Sequence, residues 1–300
     1  MATSIVNREM KDGRFVRQAN RFTDRIGTEE FPAEAGRYRL YASLACPWAH
    51  RALIVRRLLG LEDTIGVTIL DPIRDERGWR FTLSPDDRDP ITGAHFLAEL
   101  YTATDPAYDG RHTVPCVWDT KTKRLVTNDY PEITLMLASA FARFRPADAP
   151  DLYPEELRAG IDELNDEVFH NVNNGVYKAG MAQTQEAYDE AFDALFATLD
   201  RLEARLEGHD YLVGDRLTEA DVRLYPTLAR FDAVYHGHFK CNLRRIADYP
   251  RLWAYARRLY AIPAFGATTD FDHIKRHYYE THRHLNPSGI VPKGPAISWT

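Results

Sequence analysis

The sequence predicts an α/β domain followed by an all-α domain, and three observations carry that fold class. Residues 36–145 alternate strand-like and helical patterns in the order β-α-β, long loop, β-β-α. The proline-rich, polar stretch RFRPADAPDLYP then interrupts the pattern. Almost everything after it repeats apolar residues at spacings of three and four. A chain of 300 residues with 44% hydrophobic content suffices for two domains, each with its own core.

In the first domain, the alternating RYRLYASL predicts a strand and WAHRALIVRRLLGL a helix. Ala52, Ile54, Val55, Leu58 and Leu59 form the apolar face of that helix and Gly60 marks its end. The short apolar run IGVTILDPI predicts a parallel strand buried on both faces. From Arg74 to His112 the periodicity dissolves, which predicts a long connection. TVPCVWD and RLVTND predict a hairpin around the polar turn TKTK, and YPEITLMLASAF a helix whose start is set by Pro131.

In the second domain, PEELRAGIDELNDEVFHNVNNGVYKAG and TQEAYDEAFDALFATLDRLEARLEG predict amphipathic helices, the latter stopped by Gly208. DRLTEADVRLYPTLARFDAVY opens on a capping box between Thr218 and Asp221, with Leu217 and Val222 as a hydrophobic staple. YPRLWAYARRLYAIPAF predicts one more helix, and the tail from Asp270 to Thr300 reads as irregular. The expected division is a surface extension at 1–35, a first domain at 36–145 and a helical domain with its tail at 146–300.

Lys and Arg number 38 against 44 Asp and Glu, a net charge of −6, so no overall positive field exists to hold a nucleic acid. No window approaches the ~18 uninterrupted apolar residues of a membrane span. The first fifteen residues carry no secretory pattern, and the expected location is the cytoplasm. Three widely spaced cysteines build neither a disulfide framework nor a zinc knuckle, and in a reducing compartment each is a free thiol.

Cys46 stands at a strand-to-helix junction, with Pro47 in the first helical turn where a missing N–H costs nothing. Its sulfur there faces unpaired amides and the positive end of the helix dipole, which stabilise a thiolate. An arbitrary cysteine is a small buried hydrophobe; this position points to a nucleophile instead. Cys116, on a buried strand, and Cys241, in HFKCN, read as packed small residues. His236 and His238 lie beside Cys241 without a fourth ligand at matching spacing, so no metal is expected.

CPWAHRALI around the cysteine, VPCVWD at the third strand, NNGVYKAGMA, FDAVYHGHFKCN and DFDHIKRHYYETHRHLNPSGIVPKGP together resemble the glutathionyl-hydroquinone reductases, the xi class of the glutathione transferase superfamily. The resemblance covers nearly the whole chain. It implies the glutathione transferase fold, an α/β thioredoxin-like N-terminal domain plus an all-α C-terminal domain. In that fold Pro115 is cis, so that the Val114 backbone pairs with the γ-glutamylcysteine part of glutathione. The implied chemistry is attack of the Cys46 thiolate on the thioether sulfur of a glutathionyl-hydroquinone, giving a mixed disulfide that a second glutathione resolves. By matching motifs, Tyr177 and Tyr278 serve the departing aromatic group, with Tyr279 the alternative in the doublet. Tyr235 adds to an aromatic substrate pocket and Trp79 walls the thiol site. His277, His282 and His284, among Lys275, Arg276 and Arg283, read as a polar surface over the site. The resemblance also implies a homodimer with no bound metal or redox cofactor.

One position departs from the family pattern. Where the family reads Asn-Glu-Ser-Ser-Glu-Ile, this chain has Asn128-Asp129-Tyr130-Pro131-Glu132-Ile133. Asp129 still accepts an ammonium, but Tyr130 fills space and Pro131 removes an amide that could hold a carboxylate. The cosubstrate expected is therefore glutathione or another low-molecular-weight thiol such as mycothiol. Two other readings stay open: a broader thiol transferase of the dehydroascorbate reductase or glutaredoxin-like kind, and a non-catalytic binding module of the same fold.

Overall fold

A four-stranded sheet in the order β4-β3-β5-β6 forms the centre of the first of two compact units in the computed structural model, which describes residues 9–300. β3 is Tyr38–Ala42, β4 Gly66–Ile69, β5 Cys116–Asp119 and β6 Arg124–Thr127. β3 pairs in parallel with β4, Leu40 opposite Val67, and antiparallel with β5, Leu40 opposite Val117. β5 and β6 form the antiparallel hairpin expected around TKTK. This mixed sheet is the thioredoxin-like arrangement. Helix α1, Pro47–Leu58, makes the crossover between β3 and β4, and Gly60 beyond its end has a φ of +60° that favours glycine.

β4 corrects one expectation. It lies at the edge of the sheet, with only Thr68 buried and its neighbours half-buried. An uninterrupted apolar run does not reveal on which side a neighbouring strand is missing. The connection from Arg74 to His112 holds a helix, α2, Leu97–Thr104, whose eight residues are too few for a clear period. Glu99 starts it by accepting the Phe96 amide at 2.8 Å. Helix α3, Tyr130–Ala140, begins where Pro131 predicts.

The units divide the chain differently from its composition. One comprises residues 18–150 together with 272–281; the other comprises the described residues up to Arg17 with 151–271 and 282–300. Residues 18–35, expected to belong to no domain, are part of the first unit, where Ile26 and Phe31 are buried and Thr23 pairs with Thr127. A hairpin of β1, Met10–Lys11, and β2, Arg14–Phe15, belongs to the helical unit. The first eight residues of the expected extension lie outside the described ones.

The helical unit contains α4, Arg158–Val168, α5, Gly175–Gly180, α6, Gln185–Arg205, α7, Glu219–Arg230, and α8, Pro250–Ala261. Asp221 is its polar knot. One carboxylate oxygen accepts the Thr218 amide at 2.8 Å, closing the predicted capping box, while the other accepts the Leu212 amide at 3.1 Å and the Tyr255 hydroxyl at 2.7 Å. Burial pushes the Asp221 carboxyl up, and these donors counter it.

The tail is the second correction, because α9, Phe271–Thr281, is a regular helix. Its buried residues, Ile274, His277 and Tyr278, have helical spacing, but His and Tyr carry the period instead of aliphatic residues. His277 and His282 are buried rather than forming a polar surface. In the helical unit His282 shares a 3.3 Å hydrogen bond with His238, and burial, with the charges of His284 and Lys240, holds His238 down at about 4.

Two outcomes follow from this packing. Asp221→Ala leaves the Leu212 amide and Tyr255 hydroxyl without their acceptor and lowers unfolding free energy by about 3 kcal/mol; Thr184→Ala, which removes an exposed cap from α6, costs about 1 kcal/mol. Urea unfolding of both variants checks the ranking. For His238 the folded state disfavours the proton, so its contribution is complete above the unfolded value of about 6.5 and declines as pH falls from there toward 4. His238→Gln should flatten the urea midpoint across that window.

Candidate active site

Strand β3 ends at Ala42, and a tight turn follows in which the Cys46 amide donates to the Ser43 carbonyl at 3.0 Å. Cys46 is the N-cap of α1, with extended backbone, Pro47 at the first helical position, and its carbonyl accepting the His50 amide at 3.0 Å. Cys46 is buried, 8% exposed, and its thiol donates to the Val114 carbonyl at 3.4 Å. The Val114–Pro115 peptide is cis, as the resemblance implies.

The loop before that bond is clamped. The Tyr101 hydroxyl donates to the Thr113 carbonyl at 2.8 Å and accepts the Thr113 amide at 3.1 Å. Asn128 donates from Nδ2 to Thr113 Oγ1 at 3.1 Å, which ties the loop to the start of α3. There Asp129 donates its amide to Thr127 Oγ1 at 3.0 Å, and its carbonyl accepts the amides of Glu132 and Ile133, each at 3.0 Å. Tyr130 lies against Trp48 with ring centroids 4.6 Å apart, and the buried Arg51 guanidinium sits 4.7 Å from the Trp48 ring. The bulk of Tyr130 is thus accommodated on an aromatic shelf two residues beyond the cysteine. Cys46, Val114, Pro115, Asp129 and Tyr130 are brought together by these contacts.

Trp79 and Tyr278 meet across His277. The Trp79 and His277 rings stack at 5.1 Å and 9°, while Tyr278 is edge-on to His277 at 5.3 Å and fully buried. His277 Nδ1 donates to the Pro72 carbonyl at 2.5 Å, and Arg74 lies 5.0 Å from the Trp79 ring. Tyr279 is half-buried, and burial raises its hydroxyl above the ordinary tyrosine range. The sequence does not reveal the role of His277, because its basic neighbours suggest a solvated surface.

In the helical unit, Tyr177 is half-buried on α5, with Phe239 at 5.3 Å, Tyr235 at 6.0 Å and the Arg17 guanidinium 5.1 Å from its ring. Tyr235, expected to touch substrate, is enclosed beside Tyr177 and stacks on Phe239 at 5.4 Å. Gly180 makes this close approach possible, since an added Cβ there would lie 2.2 Å from the Phe239 ring. Burial pushes the Cys116 and Cys241 thiols well up, in keeping with packed residues. Among the described residues, no three His, Cys, Asp or Glu side chains group to hold a metal ion.

Residues 45–140 match the family model for the glutathione S-transferase N-terminal domain, and 185–258 that for the C-terminal domain. The chain is 52% identical to glutathionyl-hydroquinone reductase PcpF of Sphingobium chlorophenolicum, over 95% of this chain and 90% of that one. It is similar to the crystal structure of the glutathione-S-transferase Xi from Phanerochaete chrysosporium, with a TM-score of 0.92 and 52% identity over 95% of this chain and 94% of that one. It is also similar to the glutathione-bound structure of YqjG, a glutathione transferase homolog from Escherichia coli K-12, with a TM-score of 0.87 and 49% identity over 91% and 89% of the two chains. On likeness that runs through both units, the chain belongs to the glutathionyl-hydroquinone reductases, the xi class of the glutathione transferase superfamily.

Proposed function

We propose that the protein removes the glutathionyl group from conjugated hydroquinones through a mixed disulfide at Cys46. The observation that carries this reading is the Cys46 sulfur at the N-cap of α1, 3.4 Å from the carbonyl that precedes a cis proline. The Val114 backbone pairs with the cysteinyl part of glutathione and presents the thioether sulfur to Cys46. The attacking sulfur in this reading sits at the start of the first turn of α1.

Attack forms the S–S bond and breaks the aryl C–S bond, whose electron pair passes to the ring carbon. That carbon takes a proton, and Tyr177 and Tyr278 are the groups we assign to donating it and to holding the ring hydroxyls. A second glutathione, as thiolate, attacks the mixed disulfide and releases Cys46 with glutathione disulfide. The two electrons lost by the thiols are those that reduced the aryl–sulfur bond, so the scheme needs no metal or redox cofactor.

Asp129 accepts the ammonium of the γ-glutamyl group, Tyr130 lies beside that group, and Trp79 walls the thiol site. A second cosubstrate reading, a sugar-based thiol such as mycothiol, is favoured by one feature: Tyr130 on Trp48 offers a flat aromatic face while Pro131 withholds an amide from a carboxylate. Trp79 and Tyr278 favour an aromatic substrate over a small disulfide. No helix among the described residues is long and apolar enough to cross a membrane; the cytoplasm and a homodimer complete the proposal.

Brief exposure of reduced protein to a glutathionyl-hydroquinone should add one glutathione by intact mass and release hydroquinone, with no adduct on Cys46→Ser and turnover lower by on the order of 10³-fold or more. A parallel mycothiol conjugate names the thiol, and no adduct from either conjugate favours a binding module instead. Tyr278→Phe should still form the adduct but with kcat lower by about 10²-fold.

A further inference from the structure

The segment Asn20–Thr23 runs beside the end of β6 as a strap. The Phe22 amide donates to Asn128 Oδ1 at 3.1 Å, the Asn128 amide donates to the Phe22 carbonyl at 3.0 Å, and Thr127 Oγ1 donates to the same carbonyl at 3.1 Å. The Phe22 ring packs on Tyr101, centroids 5.5 Å apart, the residue whose hydroxyl clamps Thr113. Arg21 anchors the strap through Asp105 at 3.0 Å. At its head, Asn20 Nδ2 donates to Asp129 Oδ1 at 3.1 Å.

We infer that Asn20, at the head of this strap, is a positioning residue for thiol recognition, orienting the Asp129 carboxylate toward the amino group of the bound thiol. The inference rests on the role proposed for Asp129 as the ammonium acceptor. A carboxylate at the start of a helix can rotate about its side-chain bonds, and a lateral donor fixes its plane. Asn128, the residue before Asp129, is bonded both to the strap and to Thr113, so one short segment sets the position of the ammonium acceptor relative to the Val114 backbone. The strap thereby makes residues 20–23 part of the thiol site.

Calorimetric binding of S-methylglutathione and of its analogue lacking the amino group tests this without requiring turnover. Asn20→Ala should weaken S-methylglutathione about tenfold and leave the des-amino analogue within about twofold, with an unchanged melting temperature. A loss affecting both ligands equally would mark a merely structural role and overturn the inference, as would no loss at all. Asp129→Asn measured alongside separates the two ideas: if it abolishes discrimination and Asn20→Ala does not, the reading of Asp129 stands and the role of Asn20 falls. If neither variant alters discrimination, both fall. Wild-type protein that distinguishes the ligands in this way but fails to release hydroquinone would sink the reductase reading and leave Asn20 in its role.

Discussion

Cys46 and Val114 are 68 positions apart in the chain, and the register between β3 and β5 brings them together. Tyr41 lies opposite Cys116, so the turn that leaves β3 and the loop that enters β5 occupy the same end of the sheet. A slip of one residue would turn Leu40 and Val117 to the wrong faces and carry the thiol away from the carbonyl. The chemistry proposed for this protein therefore depends on a strand pairing maintained by side chains that take no part in it. The helix that begins at Pro47 adds its amides and its dipole at the same point.

Much of this is legible in the amino-acid sequence because the rules that govern it are local. Pro47 and Pro131 mark helix starts, Gly60 and Gly208 the turns beyond helix ends, and Thr218 with Asp221 a cap, each through chemistry confined to a few neighbouring residues. The role proposed for Cys46 rests on the same kind of local signal, its place next to Pro47. Features determined by distant partners are not. Nothing near Asn20 announces Asp129, nothing near His277 announces Trp79, and the edge position of β4 depends on which strands the rest of the chain supplies.

In the helical unit, polar and aromatic residues join an otherwise aliphatic core. Asp221 ties the loop at Leu212, the cap at Thr218 and Tyr255 of α8 into one knot, while Tyr177, Tyr235 and Phe239 form a ladder into which Gly180 lets α5 settle. Such packing is directional, since ring edges, faces and hydroxyls accept only certain neighbours. It favours a single arrangement around Tyr177 over a core that could repack.

The three cysteines meet an oxidant on unequal terms. Cys116 and Cys241 are enclosed, and burial keeps their sulfurs protonated, which withholds them from peroxides and electrophiles alike. Cys46 stands where the chain opens onto helix amides. With Cys46 as the proposed nucleophile, a first oxidation there, to sulfenic acid, would condense with a small thiol, losing water, into the same kind of mixed disulfide that the proposed cycle resolves. In the proposed cycle, the second half-reaction would then also repair the mildest damage to this thiol.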